Sequence, residues 1–87
     1  MITGKTESGF EYEVDKDVMN DYELLELISE AEDTKYAIVK VVDRVLGTDQ
    51  KKRLLEHLRN EKGKVPLDLM DKEIADIFKG VQEGKNS

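Results

Sequence analysis

The sequence predicts a mainly α-helical fold, a small four-helix domain with an N-terminal β-hairpin. Two patterns indicate this fold: apolar residues recur at intervals of three and four in the stretches after residue 20, and they alternate with acidic residues in one short stretch before it. The length of 87 residues is a third observation, because it allows one hydrophobic core and leaves no room for a second. We therefore expect a single domain over residues 1–87.

The N-terminal hairpin is predicted from the sequence FEYEV, which places Phe10, Tyr12 and Val14 on one face and acidic residues on the other. Gly9 precedes this strand and suits a tight turn, because glycine readily adopts a positive φ. We expect a hairpin covering residues 2–14. Since an isolated hairpin is marginally stable in water, its apolar face should pack against helices.

Two helices are predicted to follow the hairpin. Asn20 or Asp21 caps the first, which runs to about Ala31. Its broad apolar face comprises Tyr22, Leu24, Leu25, Leu27 and Ile28. In the second, apolar residues starting at Ile38 follow the spacing i, i+3, i+4, i+7 and i+8, which favours a helix over a strand. We expect this helix to stop at Gly47, because glycine commonly follows the last helical residue.

A third and a fourth helix complete the predicted domain. Thr48 or Asp49 caps the third, which ends at Gly63. Its inward residues are Leu54, Leu55 and Leu58. Pro66 opens the fourth helix. Its inward residues are Leu67, Met70, Ile74, Ile77, Phe78 and Val81. We expect residues 84–87 to form a frayed tail.

Charge is unevenly distributed along the chain, whose net charge is −6. Residues 1–33 hold eleven acidic and two basic residues, whereas residues 34–64 hold nine basic and four acidic ones. Two interpretations follow. The acidic and basic parts face each other or share a solvated surface, or one of them binds an oppositely charged partner.

The composition also bears on the cellular compartment. The chain has no cysteine, so it has neither disulfides nor thiolate metal sites. The N-terminus lacks a basic segment followed by an apolar run, and no apolar stretch approaches the roughly 20 residues that span a bilayer. We expect a soluble cytoplasmic protein, in the cytoplasm of a bacterial host, that has no membrane contact.

Three possible chemical signatures are incomplete. Gly4-Lys5-Thr6 matches the end of a phosphate-binding loop, but the first glycine of that loop would precede residue 1. His57 is the only histidine, so histidine-pair metal motifs are impossible, and we expect it at the rim of the core. Glu26 and Glu30 share a helix face, but paired acids need a dry pocket to act in catalysis. We expect a protein that is not an enzyme and needs no cofactor or metal.

A basic cluster surrounds the third predicted helix. It consists of Lys51, Lys52, Arg53, Arg59, Lys62 and Lys64. A basic helix in a small domain is compatible with DNA binding, but the negative net charge opposes attraction to phosphates. Pairing of the cluster with the acidic first third, or with an acidic partner, is the favoured interpretation. The alternative is a small helical DNA-binding or regulatory protein, which could also be encoded by a phage.

Three stretches of the chain resemble tail assembly chaperones of long-tailed bacteriophages and of prophages in Gram-positive bacteria. GFEYEVDKDVMNDYELLELISE resembles the start of that family, VDRVLGTDQKKRLLEHLRNEKGKVP its middle and EIADIF its last helix. The likeness covers about Phe10 to Phe78, and Tyr22 stands where the family often has Trp. It is a pattern of helices and turns without a catalytic signature.

The resemblance implies a non-enzymatic assembly factor. Members of that family associate with the tape measure protein and with tail tube protein, and they keep both soluble until the tube polymerises. In many phages a programmed frameshift near the end of the gene adds a second domain to some copies. The resemblance also implies a partner that is a long helical rod with apolar stripes, several copies of the chaperone covering one rod.

Four residues are candidates for binding that partner: Tyr22, Leu24, Tyr36 and Val39. All four are apolar positions that lie off the most inward stripes of their helices. The alternative is that they belong to the rim of the core. A domain this small also has a thin stability margin, which favours self-association as a homo-oligomer.

Overall fold

A two-stranded antiparallel sheet and three helices make up residues 1–83, the part of the chain that the computed structural model describes. The elements, in order, are β1 Ile2–Lys5, β2 Glu11–Val14, α1 Tyr22–Asp33, α2 Ala37–Leu58 and α3 Leu67–Glu83. The prediction of a mainly helical fold with an N-terminal hairpin is therefore correct, but the prediction of four helices is wrong. The predicted tail, residues 84–87, lies outside the described residues.

The helix count differs because the second and third predicted helices form one element. Gly47 interrupts α2 with φ 77° and ψ 173°, a backbone conformation that is essentially restricted to glycine. Helical geometry resumes directly after it, so Gly47 kinks a continuous segment and does not begin a loop. The segment also ends at Leu58, five residues before Gly63, which has φ 80° in the following turn.

The hairpin agrees with its prediction in extent and in orientation. Ile2 pairs with Val14 and Lys5 with Glu11, and Gly9 adopts a φ of 96° in the connecting turn. Phe10, Tyr12 and Val14 are buried against the helices, with β2 in contact with α2 and β1 in contact with α3. The predicted alternation of buried and exposed residues is confirmed.

Tyr12 is held by two glycines. Gly4 lies directly opposite it in the hairpin, and Gly80 lies in α3. A methyl group on Gly4 would overlap the phenol ring, and a methyl group on Gly80 would overlap the hydroxyl oxygen. Burial, together with the negative charge of Asp76, raises the pKa of Tyr12 above its usual value. The glycine of the Gly4-Lys5-Thr6 sequence therefore has a packing role.

Asp21, one of the two predicted caps, precedes α1, and its carboxylate accepts hydrogen bonds from the backbone N–H groups of Glu23 (3.0 Å) and Leu24 (3.4 Å). Leu24 is completely buried, whereas Tyr22 and Leu25 are exposed. The prediction of one broad apolar face that is buried as a whole is therefore correct for Leu24 and wrong for Tyr22 and Leu25. One side of α1 packs on α2, and the other carries apolar side chains into solvent.

Helices α2 and α3 supply most of the remaining core. Gln50 joins the kinked helix to the hairpin, because its amide group donates to the carbonyl of Glu13 (2.6 Å) and accepts from the N–H of Glu13 (2.7 Å). Helix α3 starts directly after Pro66, as predicted. Leu67, predicted to point inward, is 53% exposed because it lies at the first helical position. The buried apolar residues on α2 and α3 include Val41, Val42, Val45, Leu46, Leu54, Leu58, Met70, Ile74, Ile77 and Val81.

Candidate protein-binding surface

Three of the four predicted partner-binding residues lie on the surface. Tyr36 is 86% exposed, Tyr22 is 76% exposed and Val39 is 56% exposed. Leu24 is 0% exposed, so it belongs to the core and cannot contact a partner without unfolding of α1. The prediction that Leu24 lies on the surface is wrong, because α1 packs on α2 through the side that carries Leu24. Leu25, which is 52% exposed, stands on the open side instead.

Val39 borders an apolar groove of ≈ 230 Å³. The groove lies where the first half of α2, its second half and the start of α3 meet. Its lining residues are Ile38, Val39, Val42, Lys51, Leu55, Val65, Leu67 and Met70. Seven of these are aliphatic or thioether side chains, and Leu67 is one of the exposed apolar residues. Such a groove can accept the aliphatic side chains of a partner helix.

A second, wider groove of ≈ 710 Å³ runs along α1. Its lining residues are Tyr22, Glu23, Leu25, Glu26, Leu27, Ser29, Glu30, Asp33 and Arg44. Arg44 reaches it from α2 and lies 2.6 Å from the carboxylate of Asp21 and 2.8 Å from that of Glu23. The hydrogen bond from Arg44 lowers the pKa of Asp21, and the same bond raises the pKa of the guanidinium.

A chain of side-chain hydrogen bonds ties the hairpin turn to α2 and α3. The hydroxyl of Thr6 donates to the buried carboxylate of Glu73 (2.8 Å) and lies 3.1 Å from the hydroxyl of Ser8. The hydroxyl of Ser8 in turn lies 3.0 Å from Nε2 of His57. The imidazole also contacts the ring of Phe10, with the ring centroids 5.7 Å apart.

This series of hydrogen bonds was not predicted, although the sequence contains one signal for it, the position of Glu73. Glu73 follows Met70 by three positions and precedes Ile77 by four, so it falls on the inward stripe of α3. Ser8 and His57 have the spacing of a nucleophile and its base. Among residues 1–83, however, every hydrogen bond of the imidazole goes to Ser8 itself, through its hydroxyl and its carbonyl oxygen (3.2 Å). The arrangement clamps the turn onto α2.

The basic cluster does not pair with the acidic first third of the chain within residues 1–83. Lys51 pairs with Asp43 (2.7 Å), and Arg59 pairs with Glu56 (3.1 Å). Arg53 lies over the ring of Phe10, 5.5 Å from its centroid. The basic residues that pair with the acidic third are Arg44 of α2 and Lys72 of α3, which lies 3.6 Å from the carboxylate of Glu7, and both lie outside the cluster. Lys52, Lys62 and Lys64 form no ion pair within the described chain.

Gly4 and Lys5 end β1, and Thr6 begins the turn. The tripeptide therefore belongs to the hairpin and not to a phosphate-binding loop. Across residues 1–83, acidic and histidine side chains form no group of three or more that could hold a metal ion. Over the same residues, no helix combines the length and the apolar character needed to cross a membrane.

Comparison of the whole chain with models of protein families, with curated protein sequences and with solved structures yields no match.

Proposed function

We propose that the protein is a non-enzymatic phage tail assembly chaperone, which acts in the cytoplasm of the bacterial host. It binds tape measure and tail tube proteins and keeps them soluble while the tail assembles. The observation that carries this proposal is the exposure of large apolar side chains, Tyr22, Tyr36 and Val39 among them, on a small domain rich in charged residues. The resemblance of the hairpin and of the DYELLEL helix to the family is the second support.

The groove beside Val39 suits the partner that the resemblance implies. A long helical rod with an apolar stripe presents aliphatic side chains at intervals of three and four residues. Val39 and Leu67 stand at the edge of an aliphatic groove of ≈ 230 Å³, which can accept such side chains one at a time. Covering an apolar stripe removes it from water, which favours association, so several copies along one rod would protect it from aggregation.

Co-expression with a tape measure protein tests the proposal. The wild-type chain should raise the soluble yield of the tape measure protein severalfold and should co-purify with it. A Tyr36→Ser/Val39→Ser variant should lose most of this effect. Leu69→Ser is the matched control, since Leu69 is another exposed aliphatic residue, 41% exposed, and lies outside the Val39 groove.

Two results would contradict the proposal. One is an unchanged yield with no co-purification in the presence of the wild-type chain. The other is an equal loss for the Leu69→Ser control, which would show that general surface polarity decides the outcome. Circular dichroism of each purified variant verifies that its helical content matches that of the wild type.

A second candidate function is DNA binding by the basic cluster. It is favoured by one observation, the lack of ion pairs at Lys52, Lys62 and Lys64 within residues 1–83, and opposed by the net charge of −6. A mobility-shift assay with duplex DNA at low salt separates the two functions. The chaperone proposal expects no shift. A salt-sensitive shift that disappears when all three lysines are changed to serine would favour DNA binding.

A further inference from the structure

Helix α1 exposes one continuous stripe of side chains, here named the α1 outer face. It consists of Tyr22, Leu25, Glu26, Ser29, Glu30 and Asp33. Their spacing of i, i+3, i+4, i+7, i+8 and i+11 places them along one side of the helix, and all six line the ≈ 710 Å³ groove. The N-terminal end of this face is apolar, with Tyr22 76% and Leu25 52% exposed, and the C-terminal end is acidic.

The acidic end is electrostatically unfavourable in the isolated chain. Arg44 pairs at the N-terminal end of α1, with Asp21 and Glu23, whereas Glu26, Glu30 and Asp33 form no ion pair within residues 1–83. Glu26 and Glu30 are four residues apart, so their like charges repel each other. The last turn of α1 carries acidic residues and no basic one, which opposes the helix dipole.

A cationic partner would relieve these repulsions, and the apolar end would bury its exposed side chains in the same contact. The partner element that fits both ends is a helix, because α1 extends over 12 residues, about 18 Å, and offers its groups at helical intervals. Two copies paired through this face do not fit, since neither α1 outer face carries a basic residue that could meet Glu26 and Glu30 of the other.

We propose that the α1 outer face binds a basic amphipathic helix of a partner protein. Apolar side chains of that helix contact Tyr22 and Leu25, while Lys or Arg residues spaced by four positions pair with Glu26 and Glu30. Asp33 extends the acidic end by one further turn. The inference rests on the proposed function, which identifies the partner as a tape measure or tail tube protein. It adds that the bound segment of that partner is a basic amphipathic helix.

The binding experiment uses a synthetic amphipathic peptide of Leu, Ala and Lys, labelled with fluorescein, with lysines spaced by four positions. Its fluorescence anisotropy is followed as the full chain is added, at low and at high ionic strength. The test variant is Glu26→Gln/Glu30→Gln/Asp33→Asn. The control variant, Glu61→Gln/Asp68→Asn/Asp71→Asn, removes the same charge from exposed positions elsewhere on the chain.

We expect the wild-type chain to bind the peptide in a salt-sensitive manner. The test variant should bind about tenfold more weakly or worse, and the control variant less than about threefold more weakly. A Tyr22→Ser/Leu25→Ser variant should weaken binding at high salt as well, because apolar contact is not screened. The test variant should also melt about 2–5 °C higher than the wild type, since it relieves repulsion within α1.

Equal weakening in the test and control variants would overturn the inference, and so would equal binding of a peptide with Glu in place of Lys. Concentration-dependent dimerisation that the test variant abolishes would assign the face to a second copy, which also contradicts it. Co-expression separates this inference from the proposed function. If the test variant still solubilises the tape measure protein as well as the wild type does, the inference fails and the proposed function stands. If the wild-type chain binds the peptide but does not solubilise the tape measure protein, the inference about the α1 outer face stands and the proposed function fails.

Discussion

The hairpin and α1 are both short N-terminal elements packed on α2, yet they are held in different ways. The hairpin buries three large side chains, Phe10, Tyr12 and Val14, each at most 5% exposed. In α1, Leu24 is the one side chain buried to that extent. The hairpin is also hydrogen-bonded through side chains to both long helices. Helix α1 is tied to α2 by the exposed guanidinium of Arg44.

This difference separates a structural element from a surface available to a partner. The hairpin turn uses its polar groups internally: Thr6 donates to the buried Glu73, and Ser8 bonds to His57. Helix α1 directs Tyr22 and Leu25 into solvent, with acidic groups beside them. Substitutions in the hairpin should therefore lower stability, whereas single substitutions of Tyr22 or Leu25 on the outward side of α1 should change binding and leave stability nearly unchanged.

The largest effect is expected for Tyr12→Ala. Tyr12 is 5% exposed and fills the space between Gly4 and Gly80, so its loss should lower the free energy of unfolding by about 3–5 kcal/mol. Urea unfolding followed by circular dichroism measures this change. Tyr36→Ala, at a tyrosine that is 86% exposed, is the matched control and should stay within about 0.5 kcal/mol of the wild type. Equal losses at the two tyrosines would contradict the difference in packing.

Gly80→Ala should come next, with a loss of about 1–3 kcal/mol through overpacking against the Tyr12 hydroxyl. Alanine is otherwise favoured in a helix by about 1 kcal/mol, so destabilisation here would report the close contact with Tyr12. Removal of the hydroxyl in Tyr12→Phe should rescue Gly80→Ala, because the next nearest ring atom is 3.3 Å from the added methyl.

Gly4→Ala supplies the control for this rescue. The added methyl there would overlap ring carbons as well as the hydroxyl, so Tyr12→Phe should not restore its stability. A double-mutant cycle on each pair gives the two coupling energies. Identical rescue at both glycines would show that the ring is not fixed between them.

The hairpin was predictable from the sequence because its signal is local. The alternation in FEYEV specifies which side chains are buried, and Gly9 specifies the turn. The helix count was not predictable, because the same signal has two structural outcomes. Gly47 requires a positive φ both in a helix end followed by a loop and in a one-residue kink, and the choice depends on how the two halves of α2 pack.

The candidate surface was only partly predictable for a related reason. Apolar residues at positions 22, 24, 25, 27 and 28 cover most of the circumference of α1, so their periodicity does not show which side faces α2. In the fold, Leu24 takes the core side and Leu25 the open side. Tyr36 and Val39 were identified correctly as exposed, since they lie off the inward stripe that begins at Ile38.

A smaller effect on stability is expected when Asp21, which caps α1 and pairs with Arg44, loses its charge. Its pKa in the folded chain lies below its ordinary value of 3.8, so the stabilisation is present above that value and is lost as the pH falls through the lowered pKa. Arg44→Gln should therefore reduce the drop in the urea midpoint between neutral pH and about pH 2. Asp21→Asn, which keeps an oxygen for the cap, should reduce the same drop. An undiminished acid response in both variants would show that the pair contributes nothing to the stability of α1.

The smallest effect on stability is expected for Leu25→Gln. Leu25 is 52% exposed on the outward side of α1, and glutamine is as good a helix former as leucine, so the free energy of unfolding should change by less than about 0.5 kcal/mol. Leu24→Gln, one residue away, should lose several times more, because it places an amide at a completely buried position. Urea unfolding of both variants measures the contrast. Comparable losses would mean that α1 is held on both sides, and the side carrying Tyr22 and Leu25 would then be structural and not available to a partner.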